Sequence, residues 1–289
     1  MNHHRILSLI SAAAIAVTVA AAPPSVEWRC EATDTAAVTE LLTGTAARRF
    51  DSPGARTAHL ARAFTGRPYK AGTLEGAVET LRVNLDSLDC TTLVDNVMAL
   101  SYTLGERRTG WQDFVYNLTR LRYRGGHIDG YPSRLHYIAD WAVDNIHRGN
   151  FDDVTRDTPK TVYMVRTIDF MSTHRDRYPA LADSATLARI KRAEDALRGH
   201  RFPYVKTRDA ADRTVLSRLR EGDIVAFVSN LKDLDVTHMG ILVRESDGQL
   251  HVLHASSSQG SVVVSPQPLA DFLRRNRQWI GFRAFRLRD

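Results

Sequence analysis

Cysteine is scarce in this sequence: only Cys30 and Cys90 occur among 289 residues. Two cysteines cannot build a disulfide-scaffold fold or a zinc site made of paired C-x-x-C knuckles. The sequence also lacks an H-E-x-x-H and a G-x-S-x-G motif, which removes the common signatures of zinc proteases and serine hydrolases. Any hydrolytic chemistry must therefore be carried by another set of side chains.

No charge of one sign dominates, because 39 Lys+Arg face 33 Asp+Glu, giving a net charge of +6. With 43% apolar residues the composition is that of a globular protein, which excludes a collagen-like, low-complexity or wholly disordered chain. The small basic excess is compatible with an anionic polymer as partner. We interpret the basic clusters at 120–124 and 274–277 as solvated faces or contacts to such a polymer, and expect no nucleic-acid binding.

The first 22 residues have the pattern of a secretory signal peptide. Residues 1–5 carry positive charge, residues 6–22 are uncharged, small or apolar, and three alanines at 20–22 offer a cleavage site. An uncleaved anchor is the alternative, although the apolar run is shorter than the ~20 residues a spanning helix needs. We expect export through segment 1–22, with the protein in the periplasm, cell envelope or medium, and no other contact with a membrane.

The order of the predicted elements indicates an α+β fold, because helices come first and a meander of strands follows. No internal repeat and no Gly-, Pro- or Ser-rich linker divides the chain. Apolar spacing and caps predict the following helices: 35–49, 55–64 opened by Ser52 and Pro53, 93–104, one capped by Ser133, and 184–197. Alternation and turn residues predict the following strands: 223–228, 238–243, 250–255, 261–265 and 281–287.

Cys90 stands at the predicted start of a buried helix, with Asp86 or Asp89 as the N-cap. Free N–H groups and the positive end of the helix dipole would stabilise a thiolate there and could later donate to an oxyanion. A cysteine nucleophile needs a histidine base held by a third polar group. His238 begins a strand, and the next strand carries His251 and His254, which face opposite ways because side chains alternate. Only one of the latter two can serve.

Four sequence blocks carry a family resemblance. They are G-R-P-Y-K-A-G at 66–72, L-D-C-T-T at 88–92, L-R-E-G-D-I-V at 219–225, and H-M-G-I at 238–241 followed by H-A-S at 254–256. In this order they resemble the papain-like NlpC superfamily of bacterial cell-wall cysteine hydrolases. Two features depart from most members: Thr91 and Thr92 replace Ser-Gly, and about 130 residues separate Cys90 from the G-D strand. These two features, together with the segments G-T-L-E at 72–75 and G-Y-P-S-R-L-H at 130–136, resemble the N-acetylmuramoyl-L-alanine amidase-like branch of the superfamily.

The resemblance implies an N-terminal segment at 23–50 and an amidase domain at 51–289, whose catalytic helix packs on a C-terminal antiparallel sheet. A helical insertion at about 105–215 would shape the substrate cleft. Cys90 would be the nucleophile, His238 the base and His254 the orienting residue, chosen over His251 by the H-A-S match. All three should converge between the helices and the sheet, with Cys90 unpaired.

Three further residues are candidates around this site. Tyr69 would donate to the oxyanion, or simply pack in the core. Asp89 would cap the helix or clamp a substrate amine. His136 would line the cleft, or lie on an ordinary helix surface. The mechanism needs no metal and no organic cofactor.

The implied substrate is peptidoglycan or its muropeptides. The bond would join N-acetylmuramic acid to L-alanine, as in the closer branch. A γ-D-glutamyl-diaminopimelate bond and a non-catalytic wall-binding role remain alternatives. An acyltransferase on a permuted relative of the fold is disfavoured, because there the histidine precedes the cysteine. The sequence leaves the oligomeric state open.

Overall fold

The structure, a computed structural model, describes residues 25–288, so the predicted signal peptide at 1–22 lies outside the described residues. The helices are α1 Glu31–Ala46, α2 Pro53–Arg62, α3 Cys90–Gly105, α4 Trp111–Arg122, α5 Ile138–His147, α6 Phe170–Thr173, α7 Ser184–Ala196, α8 Arg213–Leu216 and α9 Leu269–Arg275. The strands are β1 Val26–Trp28, β2 Leu81–Val83, β3 Phe151–Asp153, β4 Thr161–Val165, β5 Arg201–Lys206, β6 Ile224–Ser229, β7 Val236–Arg244, β8 Leu250–Ser256, β9 Ser261–Pro268 and β10 Trp279–Leu287.

The C-terminal strands form the antiparallel sheet that the sequence predicts. Its strand order is β4-β5-β10-β6-β7-β8-β9, and β3 pairs with β10 outside this path. A separate parallel pair joins β1 and β2. All five strands predicted from residue 223 onward are present, so the mixed α+β class is confirmed.

The sheet is covered on both faces. Ile224 and Ala226 of β6 join the core that α1–α5 build on one face, while Val225 and Phe227 join a second core under α9. This alternation follows from the two-residue period of a strand. Helix α3 is buried along most of its length, which places its first residue, Cys90, between the helices and the sheet.

Most of the predicted helices are present. Helix α2 starts after Ser52, whose Oγ accepts a hydrogen bond from the Ala55 N–H at 3.1 Å, with Pro53 at the first helical position. Helices α1, α3 and α7 cover the other predicted spans with shifted ends. Gly199, with φ +76°, follows α7 in the left-handed conformation that terminates helices.

The prediction that Ser133 caps a helix is wrong. Ser133 ends a short 3-10 helix, where its Oγ donates to the carbonyl of Gly130 at 2.7 Å and accepts from the Asp129 N–H at 2.9 Å. Helix α5 begins only at Ile138. Because the hydroxyl is engaged in its own turn, it is not available to cap a helix.

The segment at about 105–215 is not purely helical. It contains α4–α8, but β3, β4 and β5 also belong to it and extend the sheet beyond β10. It has a core of its own, formed by Tyr137, Ile168, Leu181, Ile190 and Phe202 among others. These strands are short, and β5 contains Pro203, so their sequences give weak strand signals.

Two glycines of the family blocks permit close backbone approaches. Gly222 has φ +85°, and a Cβ there would lie 2.4 Å from the Gly54 Cα. A Cβ on Gly240 would lie 2.7 Å from the carbonyl oxygen of Leu253 and 3.1 Å from the His254 Cβ. A side chain at 240 would therefore force β7 and β8 apart beside the predicted histidine pair.

A buried ion pair ties α3 to its neighbours. Arg122 Nε donates to Asp95 Oδ2 at 2.9 Å, and Arg122 Nη1 donates to the carbonyl of Arg82 at 2.7 Å. Trp141 Nε1 donates to the other Asp95 oxygen at 3.2 Å. The side chains of Arg122 and Asp95 are only 3% and 2% exposed, so both charges depend on each other.

We expect Arg122→Ala to lower the free energy of unfolding by about 3–5 kcal/mol, because it leaves the Asp95 carboxylate buried without its cation. The control is Arg198→Ala, which removes a pair with Asp195 whose side chains are both 60% exposed. This control should cost less than ~1 kcal/mol. Urea unfolding measures both; equal losses would contradict the role assigned to the buried pair.

Within residues 25–288, the helices are too short or too polar to cross a membrane.

Candidate active site

Cys90 is the first residue of α3, and Asp89 is the N-cap. Asp89 Oδ1 accepts from the Thr92 N–H at 2.8 Å, while Thr92 Oγ1 accepts from the Asp89 N–H at 2.9 Å. This reciprocal capping box fixes the start of the helix and gives Thr92 a structural role. Of the two roles considered for Asp89, helix cap or clamp for a substrate amine, the structure shows the helix cap.

The thiol of Cys90 lies against β7. Burial and the neighbouring Asp89 carboxylate raise the pKa of Cys90 to about 11, although hydrogen bonds from the Met239 backbone and the Thr91 side chain act in the opposite direction. Burial and Asp89 thus act against the thiolate that the start of a helix is expected to stabilise. Met239 directly follows His238, so the sulfur lies beside the segment that carries this histidine.

Tyr69 lies near the thiol. Its backbone N–H donates to the carbonyl of Gly260 at 2.8 Å, and Tyr69 forms an isolated parallel β-bridge with Leu88. Burial raises the pKa of Tyr69, and the negative charges that Cys90 and Asp89 can carry raise it further. The phenol therefore stays protonated at neutral pH, which is what a hydrogen-bond donor to an oxyanion requires.

His238 and His254 form a direct pair across β7 and β8. His238 Nε2 and His254 Nδ1 are 2.8 Å apart, and the two rings are nearly perpendicular at 86°. Burial lowers the pKa of His238 to about 3, with a smaller contribution from His254, and burial lowers the pKa of His254 to about 4. Both imidazoles are therefore neutral at pH 7.

Aromatic rings that the sequence analysis did not single out hold this pair. The Trp279 ring stacks on His238 with an interplanar angle of 3° and a centroid distance of 5.7 Å. Phe227 stacks on the rings of His238 and Trp279. The ring centroids of Phe272 and His254 are 5.0 Å apart. Trp279 Nε1 also donates to Thr237 Oγ1 at 3.1 Å. These contacts fix the orientation of both imidazoles.

His251 lies on the opposite side of β8 from His254, as strand alternation predicts. Its Nδ1 lies 2.8 Å from the carbonyl oxygen of Ser265, and its Nε2 lies 3.0 Å from Asp247 Oδ2. The side chain is buried, so it is not the surface residue that an ordinary cross-strand position would provide. Its contacts are structural.

His136 does not lie on a helix surface, since α5 begins after it at Ile138. Its Nε2 lies 2.9 Å from the carbonyl oxygen of Tyr131, and the two rings are 4.4 Å apart. Burial and the Arg134 charge lower the pKa of His136 to about 3. Among residues 25–288 no hydrogen bond, ion pair or ring contact joins His136 to Cys90 or to the histidine pair.

The two cysteines are unbridged and differ sharply in environment. Cys30 is exposed, and a hydrogen bond from Thr33 lowers its pKa.

We therefore expect iodoacetamide at pH 7 to label Cys30 first, while the rate of Cys90 labelling rises about tenfold per pH unit toward pH 11, since the thiolate is the reactive form. Peptide mass mapping measures both rates. Faster labelling of Cys90 at pH 7 would contradict the assigned protonation state.

In the part of the chain that the structure describes, no group of three or more His, Cys, Asp or Glu side chains is placed to hold a metal ion.

The fold is a mixed α+β fold, and the solved structures similar to it include proteins described as amidases. A Bacteroides uniformis crystal structure described as an N-acetylmuramoyl-L-alanine amidase is 38% identical, with a TM-score of 0.76 over 82% of this chain and 99% of that one. The family profile described as "AmiA-like: N-acetylmuramoyl-L-alanine amidase-like" matches residues 59–282. The chain therefore belongs to this AmiA-like family.

Two other solved structures are similar. A Bacteroides fragilis protein, described without certainty as a xylanase, is 38% identical, with a TM-score of 0.73 over 80% of this chain and 100% of that one. A Legionella pneumophila protein of the DUF1460 family is 19% identical, with a TM-score of 0.70 over 90% and 96% of the two chains, which shows a shared fold. A comparison with curated proteins finds no significant match.

Proposed function

We propose that this protein is a cysteine amidase of the NlpC-type papain-like superfamily. Its substrate would be peptidoglycan or muropeptides, and its bond the one between N-acetylmuramic acid and L-alanine. The observation that carries the proposal is the placement of Cys90 at the start of α3, beside β7, with the His238–His254 pair on β7 and β8. Membership of the AmiA-like family supports the substrate class.

In the proposed reaction His238 acts as general base. Its Nε2 is engaged with His254, which leaves Nδ1 to take the proton from the Cys90 thiol as the sulfur attacks the amide carbonyl carbon. Because the resting thiol and imidazole are neutral, proton transfer accompanies attack. The tetrahedral oxyanion would accept hydrogen bonds from the Tyr69 hydroxyl and the N–H groups at the start of α3.

Collapse of this intermediate breaks the C–N bond, and His238 returns its proton to the leaving amine. Water, deprotonated by His238, then hydrolyses the thioester and restores the thiol. Glycoside hydrolysis would instead require two opposed carboxyl groups. Asp89 is the carboxylate beside Cys90, and its Oδ1 caps α3, which favours amide over glycoside chemistry.

We further propose that segment 1–22 directs export, which would bring the enzyme to its wall polymer.

The test is mass spectrometry of purified muropeptides after incubation with the protein or with the variant Cys90→Ala. Release of free stem peptide by the wild-type chain supports the amidase. Release of a disaccharide that keeps L-alanine and D-glutamate would identify the γ-D-glutamyl endopeptidase instead. Binding without any mass change would favour the wall-binding role and reject the enzyme.

A further inference from the structure

A cavity of about 590 Å³ opens beside the histidine pair, and both His238 and His254 line it. This volume lies within the range of small-ligand sites. Its walls come from His238 and His254, from residues 256–259, and from residues 275–279 around Trp279. The loop at 256–259 leads to Gly260, which receives the Tyr69 N–H, so the cavity adjoins the proposed reaction centre.

His254 lines this cavity and carries a buried polar atom without a partner. The residue is only 5% exposed, and among residues 25–288 its Nε2 has no hydrogen-bond partner. Leaving a buried polar atom unpaired costs free energy of the order of a lost hydrogen bond. Because His254 lines the cavity, a ligand group bound there is the candidate partner for this atom.

The hydrogen-bond chain gives the chemistry of that group. For His238 to take a proton at Nδ1, its resting proton must be on Nε2, which then donates to His254 Nδ1. The proton of neutral His254 is consequently on Nε2, because a neutral imidazole carries one N–H. The unpartnered atom is therefore a donor, and it requires an acceptor from the ligand.

The positively charged residues that line the cavity favour an anion as the ligand group that accepts this hydrogen bond. Arg275 and Arg277 line it, and no Asp or Glu does. Within the described residues neither guanidinium takes part in an ion pair, whereas the adjacent Arg274 pairs with Asp271 at 2.7 Å and lies outside the cavity wall. Two unpaired guanidinium groups and one N–H donor suit a carboxylate, which Arg can bind in a bidentate manner.

We propose that this cavity binds a carboxylate of the substrate, which accepts a hydrogen bond from His254 Nε2 and pairs with Arg275 and Arg277. The inference rests on the proposed function and extends it to a substrate feature. A γ-linked glutamyl residue keeps its α-carboxylate free, so the peptide stem supplies one near either bond considered. The bound carboxylate adds the negative charge that stabilises the imidazolium formed when His238 takes the thiol proton.

The test compares two muramoyl tripeptides that differ only in the glutamyl α-group, a carboxylate in one and a carboxamide in the other. We expect the wild-type chain to hydrolyse the acid with a kcat/KM about tenfold or more above that of the amide. The double variant Arg275→Ala/Arg277→Ala should reduce this preference to near one, and Arg274→Ala should retain it. Equal hydrolysis by the wild-type chain, or an unchanged preference in the double variant, would overturn the inference.

Calorimetric binding of both peptides to Cys90→Ala separates this inference from the proposed function. Tighter binding of the acid without hydrolysis by the wild-type chain would reject the amidase and leave the carboxylate site supported. Hydrolysis of both peptides with equal binding would support the amidase and reject the site.

Discussion

Cys90→Ala should lower kcat/KM on muropeptides by about 10⁴-fold or more while the protein stays folded. The substitution removes the sulfur that would form the covalent bond to the acyl carbon, and losses of this size are typical when a nucleophile is deleted. Cys90 packs at the edge of the core at the first turn of α3, where alanine fits a helix well. Little change in the unfolding transition is therefore expected.

The matched control for this experiment is Cys30→Ala. Cys30 is exposed just before α1, and its thiol hydrogen-bonds to Thr33 Oγ1 at 3.2 Å. Activity should stay within about twofold of the wild-type value. Loss of activity in Cys30→Ala, or its retention in Cys90→Ala, would reject the assigned nucleophile.

His238→Ala should be nearly as damaging as Cys90→Ala, because the neutral thiol then has no base. His254→Ala should be milder, with a loss of about 10–100-fold. It removes one hydrogen bond to a developing imidazolium, worth about 1.5–3 kcal/mol, which corresponds to roughly that factor. Ranking His238→Ala and His254→Ala requires an activity assay that measures kcat/KM over at least four orders of magnitude.

His251→Ala is the control from the same strand. Its ring contacts Asp247 and Ser265 on the opposite side of β8, so the variant should keep nearly all its activity per folded molecule. It should lose stability instead, by about 1–2 kcal/mol for the buried hydrogen bonds. Greater loss of activity in His251→Ala than in His254→Ala would mean that the strand assignment of the third residue is mistaken.

Much of the candidate site could be predicted from local sequence motifs. The acidic residue before Cys90 and the threonine at 92 specify a helix start through a capping box, whose partners are three residues apart. Alternation along β8 separates His251 from His254, and the H-A-S block selects the latter. Glycines at 222 and 240 mark backbone approaches that exclude a Cβ.

Tertiary packing determined what the sequence could not indicate. Burial against β7 raises the pKa of the Cys90 thiol, and this effect cannot be predicted from the position of Cys90 at a helix start alone. Trp279 reaches His238 only because β10 lies beside β6 in the sheet, a pairing between segments about 50 residues apart. Ser133 has the residue type of a cap, but its hydroxyl closes a turn instead.

The double-mutant cycle of Cys90→Ala and His238→Ala tests most directly whether these two residues act as one unit. If His238 works only by taking and returning the proton of Cys90, removing both should cost scarcely more than removing either. We predict that kcat/KM of the double variant lies within about threefold of the less active single variant. Losses that multiply, so that the double variant falls far below both singles, would contradict the pairing of Cys90 with His238.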